Sequence, residues 1–219
     1  MDPSKKRDIY CTDCGVRTCI RCSADADGTL PDYCMSKRFE AIREEAREES
    51  RKPENLKIMQ GFLKINPTGL HGGQATRVEM LMGLFRSVGA KKIGIATCYG
   101  LLNEARTFSR ILRANGFDVY GINCKVGTMD KADLDVPPEE DPYPGESSCN
   151  PILQAKILNR FRTDYNVIVG LCVGQDALFS KYSEAPVSTL VVKDFALGHN
   201  SVACLYQADS YYKGLLEKD

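Results

Sequence analysis

The sequence lacks an excess of charge of either sign, any long apolar run and any hydrophobic leader. Lysine plus arginine and aspartate plus glutamate number 29 each among 219 residues, so no overall field attracts nucleic acid or an anionic membrane. No stretch approaches the ~20 apolar residues of a membrane-spanning helix, and the N-terminus is polar where a signal peptide would be hydrophobic. We therefore expect a cytoplasmic protein with no nucleic-acid or membrane partner.

Several common functional motifs are also absent. Neither the dinucleotide fingerprint G-x-G-x-x-G nor the P-loop motif G-x-x-x-x-G-K-[ST] occurs. The two histidines, His71 and His199, are too far apart in sequence to form H-E-x-x-H, and His71 falls in a Gly-rich linker where a solvated loop residue is expected. These absences disfavour standard dinucleotide-binding, P-loop and zincin functions.

Ten cysteines are the most informative residues that the chain does contain. A reducing cytoplasm disfavours structural disulfides, so clustered thiols are better explained as metal or redox ligands. Hydrophobic residues make up 43% of the chain, which is enough for a folded core. Five of the cysteines lie within 24 residues near the N-terminus, and the other five are spread over the remainder.

The N-terminal cysteines form two C-x2-C pairs and one isolated thiol. Four thiolates at this spacing can bind one zinc ion tetrahedrally at ~2.3 Å, and the binding energy would fold a lobe too small for a core of its own. The C-x4-C-x2-C run from Cys14 to Cys22 also has the spacing of plant-type ferredoxins, with Cys34 as a distant fourth ligand. The spacing thus predicts a metal site and leaves zinc and iron–sulfur open. The candidate ligands are Cys11, Cys14, Cys19, Cys22 and Cys34.

Three segments follow from the change in cysteine density. We expect a Cys-rich metal-binding module at residues 1–36, a helical connector and linker at residues 37–74, and an α/β domain at residues 75–219. Apolar residues at helical spacing predict an amphipathic helix from about residue 34 to residue 51, which Pro53 interrupts before a second short helix. Thr76 and Glu79 match a capping box that begins the next helix.

The third segment alternates between apolar strands and helices. Strands are predicted at residues 92–97, 117–123, 166–171 and 188–193, and helices at residues 101–115, 150–161 and 175–182, with a last helix after Asn200. This alternation indicates a four-stranded parallel sheet covered on both faces, an α/β sandwich of Rossmann-like or flavodoxin-like type. The Pro-rich, acidic stretch at residues 125–148 is an irregular loop of a length that is usually functional or mobile.

A second group of cysteines is predicted at one edge of this sheet. Cys98, Cys124 and Cys172 follow the first three strands, and the carboxyl ends of parallel strands share one edge. Cys149 precedes a predicted helix start that should lie near the same edge. We expect the four thiols to meet there and to bind a [4Fe-4S] cluster or another thiolate-bound metal. A single strand-end cysteine is more simply a core residue, and Cys204, on a predicted helix, is interpreted in that way.

Two other classes of function remain open. Cys172 with His199, oriented by Asp176 or Asp194, would make a cysteine hydrolase-like site, although His199 could equally have a structural role before the last helix. Alternatively, the protein is a zinc-stapled binding or adaptor module whose α/β domain recognises a partner or a small anion without performing chemistry.

Short motifs along the chain occur in the order found in a known family. They are Cys11-x2-Cys14-x4-Cys19 with Cys34, Ile95-Ala-Thr-Cys98, Asn123-Cys-Lys-Val-Gly127, Cys149-Asn-Pro151, Gly170-Leu-Cys-Val-Gly174 and Leu197-Gly-His-Asn200. In these motifs the chain resembles the uncharacterised metal-binding proteins known as domain of unknown function 1847. The resemblance implies metal binding, is typical of anaerobic prokaryotes and brings no established reaction.

The resemblance also bears on individual residues. It favours Cys11, Cys14, Cys19 and Cys34 as the first ligand set, whereas spacing favours Cys22 over Cys34, and all five stay candidates. The family pattern has a His-Asp pair after the Gly-Leu-Cys-Val-Gly segment, and this chain has Gln175-Asp176 there. That departure weakens any acid or base role for a histidine at this position.

Together these features predict a metal-binding protein, with iron–sulfur favoured over zinc and a redox or sulfur-handling activity as its chemistry. The ligands of the second site would be Cys98, Cys124, Cys149 and Cys172, and the acidic loop at residues 131–146 would cover them. The expected partners are a metal ion or cluster, a redox partner protein, or a small anionic or sulfur-containing ligand.

Overall fold

A computed structural model describes residues 9–141 and 143–217. The first eight residues of the predicted Cys-rich module and residue 142 of the predicted loop lie outside these ranges. The chain divides into two compact units, with the boundary between Gln60 and Gly61. No helix in the described part of the chain combines the length and the apolar character needed to cross a bilayer.

The first unit consists of short turns followed by helices. Two 3-10 turns, Cys11–Asp13 and Thr18–Ile20, carry cysteines, helices α1 (Met35–Arg38) and α2 (Glu40–Arg51) follow, and α3 (Pro53–Leu63) continues across the boundary. The prediction of one continuous helix up to residue 51 is wrong, because the backbone of Phe39 (φ −121°, ψ 46°) is not helical and separates α1 from α2. Ala24 and Leu30 are the buried apolar residues among the described part of this unit, which therefore has almost no hydrophobic core.

A four-stranded parallel sheet forms the centre of the second unit. Its strands are β1 (Lys92–Thr97), β2 (Asp118–Asn123), β3 (Tyr165–Val169) and β4 (Val187–Val191), in the spatial order β2-β1-β3-β4. All neighbouring strands are parallel, which confirms the predicted α/β class. The central strands β1 and β3 are almost completely buried, whereas the edge strands β2 and β4 are partly exposed. Burial on both faces explains the continuous apolar sequence of β1 and β3.

α-Helices precede, connect and follow these strands. They are α4 (Arg77–Ser87), α5 (Leu102–Ala114), α6 (Pro151–Phe161), α7 (Gln175–Tyr182) and α8 (Val202–Tyr206). Helices α5 and α6 pack on β1 and β2 and bury Phe108 and Leu158 respectively. In the sheet, β2 lies on one side of β1. The chain then returns to form β3, which lies on the other side of β1. The strand order therefore reverses between β1 and β3, which is where open α/β sheets bind ligands.

The capping box predicted at Thr76 is present at the start of α4. Thr76 Oγ1 accepts a hydrogen bond from the Glu79 N–H at 3.3 Å and donates to Glu79 Oε2 at 2.7 Å. The Glu79 carboxylate also accepts from the N–H groups of Thr76 and Leu70, at 2.6 and 2.7 Å. The Thr76 hydroxyl and these two amides lower the pKa of Glu79 from 4.5 to about 2.

Replacing Glu79 by glutamine should make the stability of the fold less sensitive to acid. Because the folded-state pKa of Glu79 lies below its unfolded value of 4.5, its contribution is present above pH 4.5 and is lost as the pH falls towards about 2. The thermal unfolding midpoint, followed by circular dichroism, should fall more steeply over this interval in the wild type than in Glu79→Gln. Glu104→Gln, at an exposed glutamate in the first turn of α5, is the control. Equal slopes for the wild type and Glu79→Gln would contradict the prediction.

Candidate metal centres

The second unit carries three cysteines just beyond the carboxyl ends of its strands. Cys98 directly follows β1, Cys124 directly follows β2, and Cys172 comes three residues after Val169, the last residue of β3. Cys98 and Cys172 thus flank the position at which the strand order reverses. The parallel topology alone brings these three residues to the same edge.

Cys149 reaches this edge through the N-terminal cap of α6. Asn150 caps the helix, because its side-chain oxygen accepts from the Leu153 N–H at 2.9 Å. The backbone N–H of Asn150 also donates to the carbonyl of Cys124 at 2.7 Å. This hydrogen bond holds Asn150 beside Cys124. The Sγ atoms of Cys149 and Cys124 lie 3.4 Å apart.

All four thiols line one cavity of about 460 Å³, called here the four-cysteine cavity. Cys98 and Cys124 lie at its base and are only 5% and 1% exposed, whereas Cys149 and Cys172 are partly exposed. Lysine and aromatic side chains complete much of its wall: Lys125, Lys131, Tyr143, Lys193 and Phe195. The predicted acidic loop supplies Lys131 and Tyr143, so it does border the site.

Hydrogen-bond donors surround the two buried sulfurs. The N–H of Gly100 points to Cys98 Sγ at 3.4 Å, and the N–H of Tyr99 points to Cys124 Sγ at 3.3 Å. Donation from the Cys124 thiol, together with Gly100 and Lys193, outweighs burial and lowers the pKa of Cys98 to about 5. The same contact with Cys98, reinforced by burial, raises the pKa of Cys124. The lowered pKa favours the thiolate form of Cys98, the form that binds metals.

Lys193 supplies the positive charge of the cavity. Its Nζ lies 3.0 Å from Cys172 Sγ and 3.3 Å from Cys98 Sγ. Burial opposes the charge of this ammonium, but the two sulfur contacts prevail and raise the pKa of Lys193 above its ordinary value. Lys193 is not among the site residues predicted from the sequence. Its place at the end of the predicted fourth strand is the feature that could have drawn attention to it, because that strand ends at the same edge.

The four sulfurs share a cavity but do not converge on one point. Among residues 9–141 and 143–217, no group of three or more Cys, His, Asp or Glu side chains already stands in a metal-binding arrangement. A tetrahedral zinc site with bonds of ~2.3 Å would need its sulfurs about 3.8 Å apart. Here the Lys193 ammonium is hydrogen-bonded to both Cys98 and Cys172. Binding of a metal by these two sulfurs would therefore require Lys193 to shift.

The N-terminal cysteines line a separate cavity in the first unit. It has a volume of about 240 Å³, and four of the five candidate ligands contribute to its wall: Cys11, Cys14, Cys19 and Cys34. Cys22 is exposed and does not line it. A hydrogen bond from the Ser36 N–H lowers the pKa of Cys34. These four cysteines are the set that the family resemblance favoured, whereas spacing favoured Cys22 over Cys34.

The geometry does not assemble the alternative cysteine hydrolase. His199 Nδ1 accepts the N–H of Asp194 at 3.1 Å, so this nitrogen is already engaged by the backbone. His199 also lines a different cavity from Cys172. The carboxylates of Asp176 and Asp194 accept backbone N–H groups of residues close to them in sequence instead of orienting a histidine.

Two remaining expectations concern single residues. Cys204 lies on α8 as expected, but its interpretation as a core residue is wrong, because α8 is a short helix without buried residues and Cys204 is partly exposed. His71 is exposed in the segment before α4, as expected for a loop residue.

Comparisons with known proteins match most of the chain. A family model described as a protein of unknown function, DUF1847, matches residues 34–190. An uncharacterised protein of Methanocaldococcus jannaschii is 44% identical over 176 residues, which cover 80% of this chain and 89% of that relative. No solved structure gives a significant match. The family match includes Cys34 and the four cysteines of the four-cysteine cavity, and neither comparison names a metal or a substrate.

Proposed function

We propose that this chain, which belongs to the DUF1847 family of proteins of unknown function, is a metal-binding protein with an iron–sulfur cluster in the four-cysteine cavity. The ligands would be Cys98, Cys124, Cys149 and Cys172. The observation that carries the proposal is that four thiols from four separate segments of the chain line a single cavity at the ligand-binding edge of the sheet. Redox or sulfur-handling chemistry is the activity that such a centre would support.

The dimensions of the cavity favour a cluster over a single ion. Cys124 Sγ and Cys149 Sγ, 3.4 Å apart, are already close enough for one zinc ion, whose sulfurs lie about 3.8 Å apart, whereas Cys98 and Cys172 both contact the Lys193 ammonium and would have to leave it to join them. The volume of about 460 Å³ and the Lys193 ammonium between two of the sulfurs suit the larger group better. Soft thiolate ligands select iron–sulfur clusters, zinc and copper(I) over hard cations.

The surroundings of the sulfurs would stabilise the charge of such a centre. Four thiolates carry more negative charge than a zinc ion or a [4Fe-4S] core neutralises, and Lys193 would offset part of the excess. The N–H groups of Tyr99 and Gly100 already point to sulfurs, and hydrogen bonds of this kind tune the reduction potential of a cluster.

The N-terminal lobe would hold a second metal with a structural role. Cys11, Cys14, Cys19 and Cys34 border one cavity, and the described part of this unit buries little apolar surface. A small lobe of this kind folds on the free energy of metal binding. Zinc and an iron–sulfur cluster both fit a set of four cysteines, and metal analysis separates them.

Metal analysis of the full-length protein purified without oxygen tests the proposal. The sample should be brown, with iron and acid-labile sulfide in stoichiometric amounts. Cys14→Ser should remove the metal of the N-terminal lobe and leave the other, so each metal can be assigned to its site. A colourless protein that contains only zinc would overturn the iron–sulfur assignment and favour the zinc-stapled adaptor.

A further inference from the structure

Two thiols of the four-cysteine cavity stand within reach of a covalent bond with each other. Cys124 Sγ and Cys149 Sγ lie 3.4 Å apart, whereas the sulfurs of a disulfide are about 2.05 Å apart. The two atoms would have to approach by about 1.4 Å, a distance that a change in the χ1 angle of one cysteine covers.

The backbone supports this contact between the sulfurs. The N–H of Asn150 belongs to the peptide group that follows Cys149, and it donates to the carbonyl of Cys124 at 2.7 Å. The side chain of Asn150 accepts from the Leu153 N–H at 2.9 Å and so fixes the same segment to the start of α6. Cys149 and Cys124 are therefore held side by side by main-chain contacts as well as by their side chains.

Exposure determines which of the thiols a reagent from solvent meets first. Cys149 is partly exposed, whereas Cys124 and Cys98 are only 1% and 5% exposed. Cys172 is also partly exposed, but its sulfur contacts the Lys193 ammonium at 3.0 Å. A reagent that reacts at Cys149 therefore finds Cys124 as the adjacent thiol that completes a disulfide.

Cys98 is the competing partner of Cys124, because its thiol also contacts the thiol of Cys124. Nearly the same number of residues separates Cys124 from Cys98 and from Cys149 along the chain. Loop closure in an unfolded chain would therefore favour neither pair. A preference for the pair of Cys124 and Cys149 would have to come from the folded cavity.

We propose that Cys149 and Cys124 form a reversible disulfide by exchange with a small organic disulfide when the cavity holds no metal. The Cys149 sulfur attacks the S–S bond of the reagent, forms a mixed disulfide and releases one small thiolate. The Cys124 sulfur then attacks the Cys149 sulfur of this mixed disulfide and releases the second thiolate. The two released thiolates take up the protons that the two cysteines lose, so two protein thiols are oxidised and one small disulfide is reduced to two thiols.

The disulfide would control the loading of the cavity with metal. Metals bind thiolates, and the bond between Cys149 and Cys124 removes two of the four proposed ligands. Metal and disulfide would thus compete for the same sulfurs, and a thiol reductant would restore the ligands. This control rests on the proposed function, whereas formation of the disulfide in the metal-free protein does not.

Peptide mapping of the full-length protein tests the inference, because each of the four cysteines lies on its own tryptic peptide. Metal is removed with a chelator under reducing conditions, and the protein is then treated without oxygen with 2-hydroxyethyl disulfide. The remaining thiols are blocked before digestion with trypsin and mass spectrometry. The four peptides, for Cys98, Cys124, Cys149 and Cys172 in this order, comprise residues 93–106, 114–125, 132–156 and 163–181.

The main linked pair among these peptides should be that of residues 114–125 and 132–156. Dithiothreitol should separate the pair again. In the metal-loaded protein, the yield of this pair should fall at least about 10-fold, because bound metal occupies the thiolates. In urea, where the contact in the cavity is lost, Cys124 should pair with Cys98 and Cys149 in about equal amounts.

Two serine variants test the order of the steps. Cys124→Ser should accumulate the mixed disulfide with the reagent on Cys149, because the second thiol is missing. Cys149→Ser should accumulate little reagent on Cys124, because that sulfur is buried. Cys204→Ser, at a partly exposed cysteine that does not line the cavity, should form the disulfide as the wild type does.

The outcomes separate this inference from the proposed function. A metal-free protein that links Cys98 to Cys124 as the main pair, or forms no linked pair, overturns the inference alone. The same preference in urea, or an equal yield of the pair in protein that retains its metal, also overturns it. A protein that never holds metal in the four-cysteine cavity but links Cys124 to Cys149 overturns the proposed function alone.

Discussion

Cys124→Ser is expected to remove nearly all of the metal from the four-cysteine cavity. Cys124 lies at the base of the cavity, 1% exposed, and its sulfur contacts the sulfurs of both Cys98 and Cys149. Even groups that only orient a ligand are worth about 10- to 100-fold in metal affinity, so loss of a central ligand should exceed about 100-fold. Serine is close to cysteine in size, so the packing around β2 should survive the exchange.

Iron, zinc and acid-labile sulfide per chain, measured on protein purified without oxygen, give the result. Cys204→Ser is the matched control, because Cys204 is partly exposed on α8 and does not line either cysteine cavity. The variant and the control should have equal unfolding midpoints after removal of the metal. Wild-type metal content in Cys124→Ser would contradict the ligand assignment of this residue. Unchanged metal in Cys172→Ser would remove Cys172 from the ligand set.

Most of the sheet could be predicted because local sequence and tertiary environment agree there. The structure places β1 and α7 at the predicted residues. β1 is a continuous buried apolar run, and α7 ends directly before Ser183. The end of β3 differs because Gly170 has φ +71°, a left-handed backbone that ends the strand two residues before the apolar run does. A helical pattern likewise continued through Phe39, and only the folded backbone reveals the break there.

The candidate site was predictable as far as topology determines it. Residues that follow parallel strands lie at one edge of the sheet for any side-chain conformation. The grouping of Cys98, Cys124 and Cys172 therefore follows from the parallel direction of the strands. The contacts of Lys193 with two sulfurs depend on side-chain conformations in loops from different strands. The sequence pattern carries no information on those conformations. The exclusion of Cys22 from the N-terminal cavity is of the same kind.

Gly94→Ala is expected to be the most destabilising small substitution in the sheet. Gly94 lies in the central strand β1, where an added Cβ would overlap Asn166 Oδ1 and stand 2.8 Å from Leu158 Cδ1. Asn166 cannot yield, because it is fully buried, accepts from Thr163 Oγ1 at 2.8 Å and donates to Ser183 Oγ at 2.8 Å. Overpacking together with a broken buried hydrogen bond should cost about 3–5 kcal/mol of unfolding free energy.

Urea unfolding of the metal-free protein measures this cost against Gly121→Ala. Gly121 lies on the edge strand β2 and pairs with Ile95 of β1. A Cβ added at Gly121 would meet open space, so alanine there should change the unfolding free energy by less than about 0.5 kcal/mol. A double variant with Asn166→Ala should be less destabilised than the sum of the two single variants, because the clash with the carboxamide is then absent. Equal, small effects at Gly94 and Gly121 would show that β1 can shift relative to β3. The edge formed by Cys98 and Cys172 would then be less rigid than the packing of Asn166 implies.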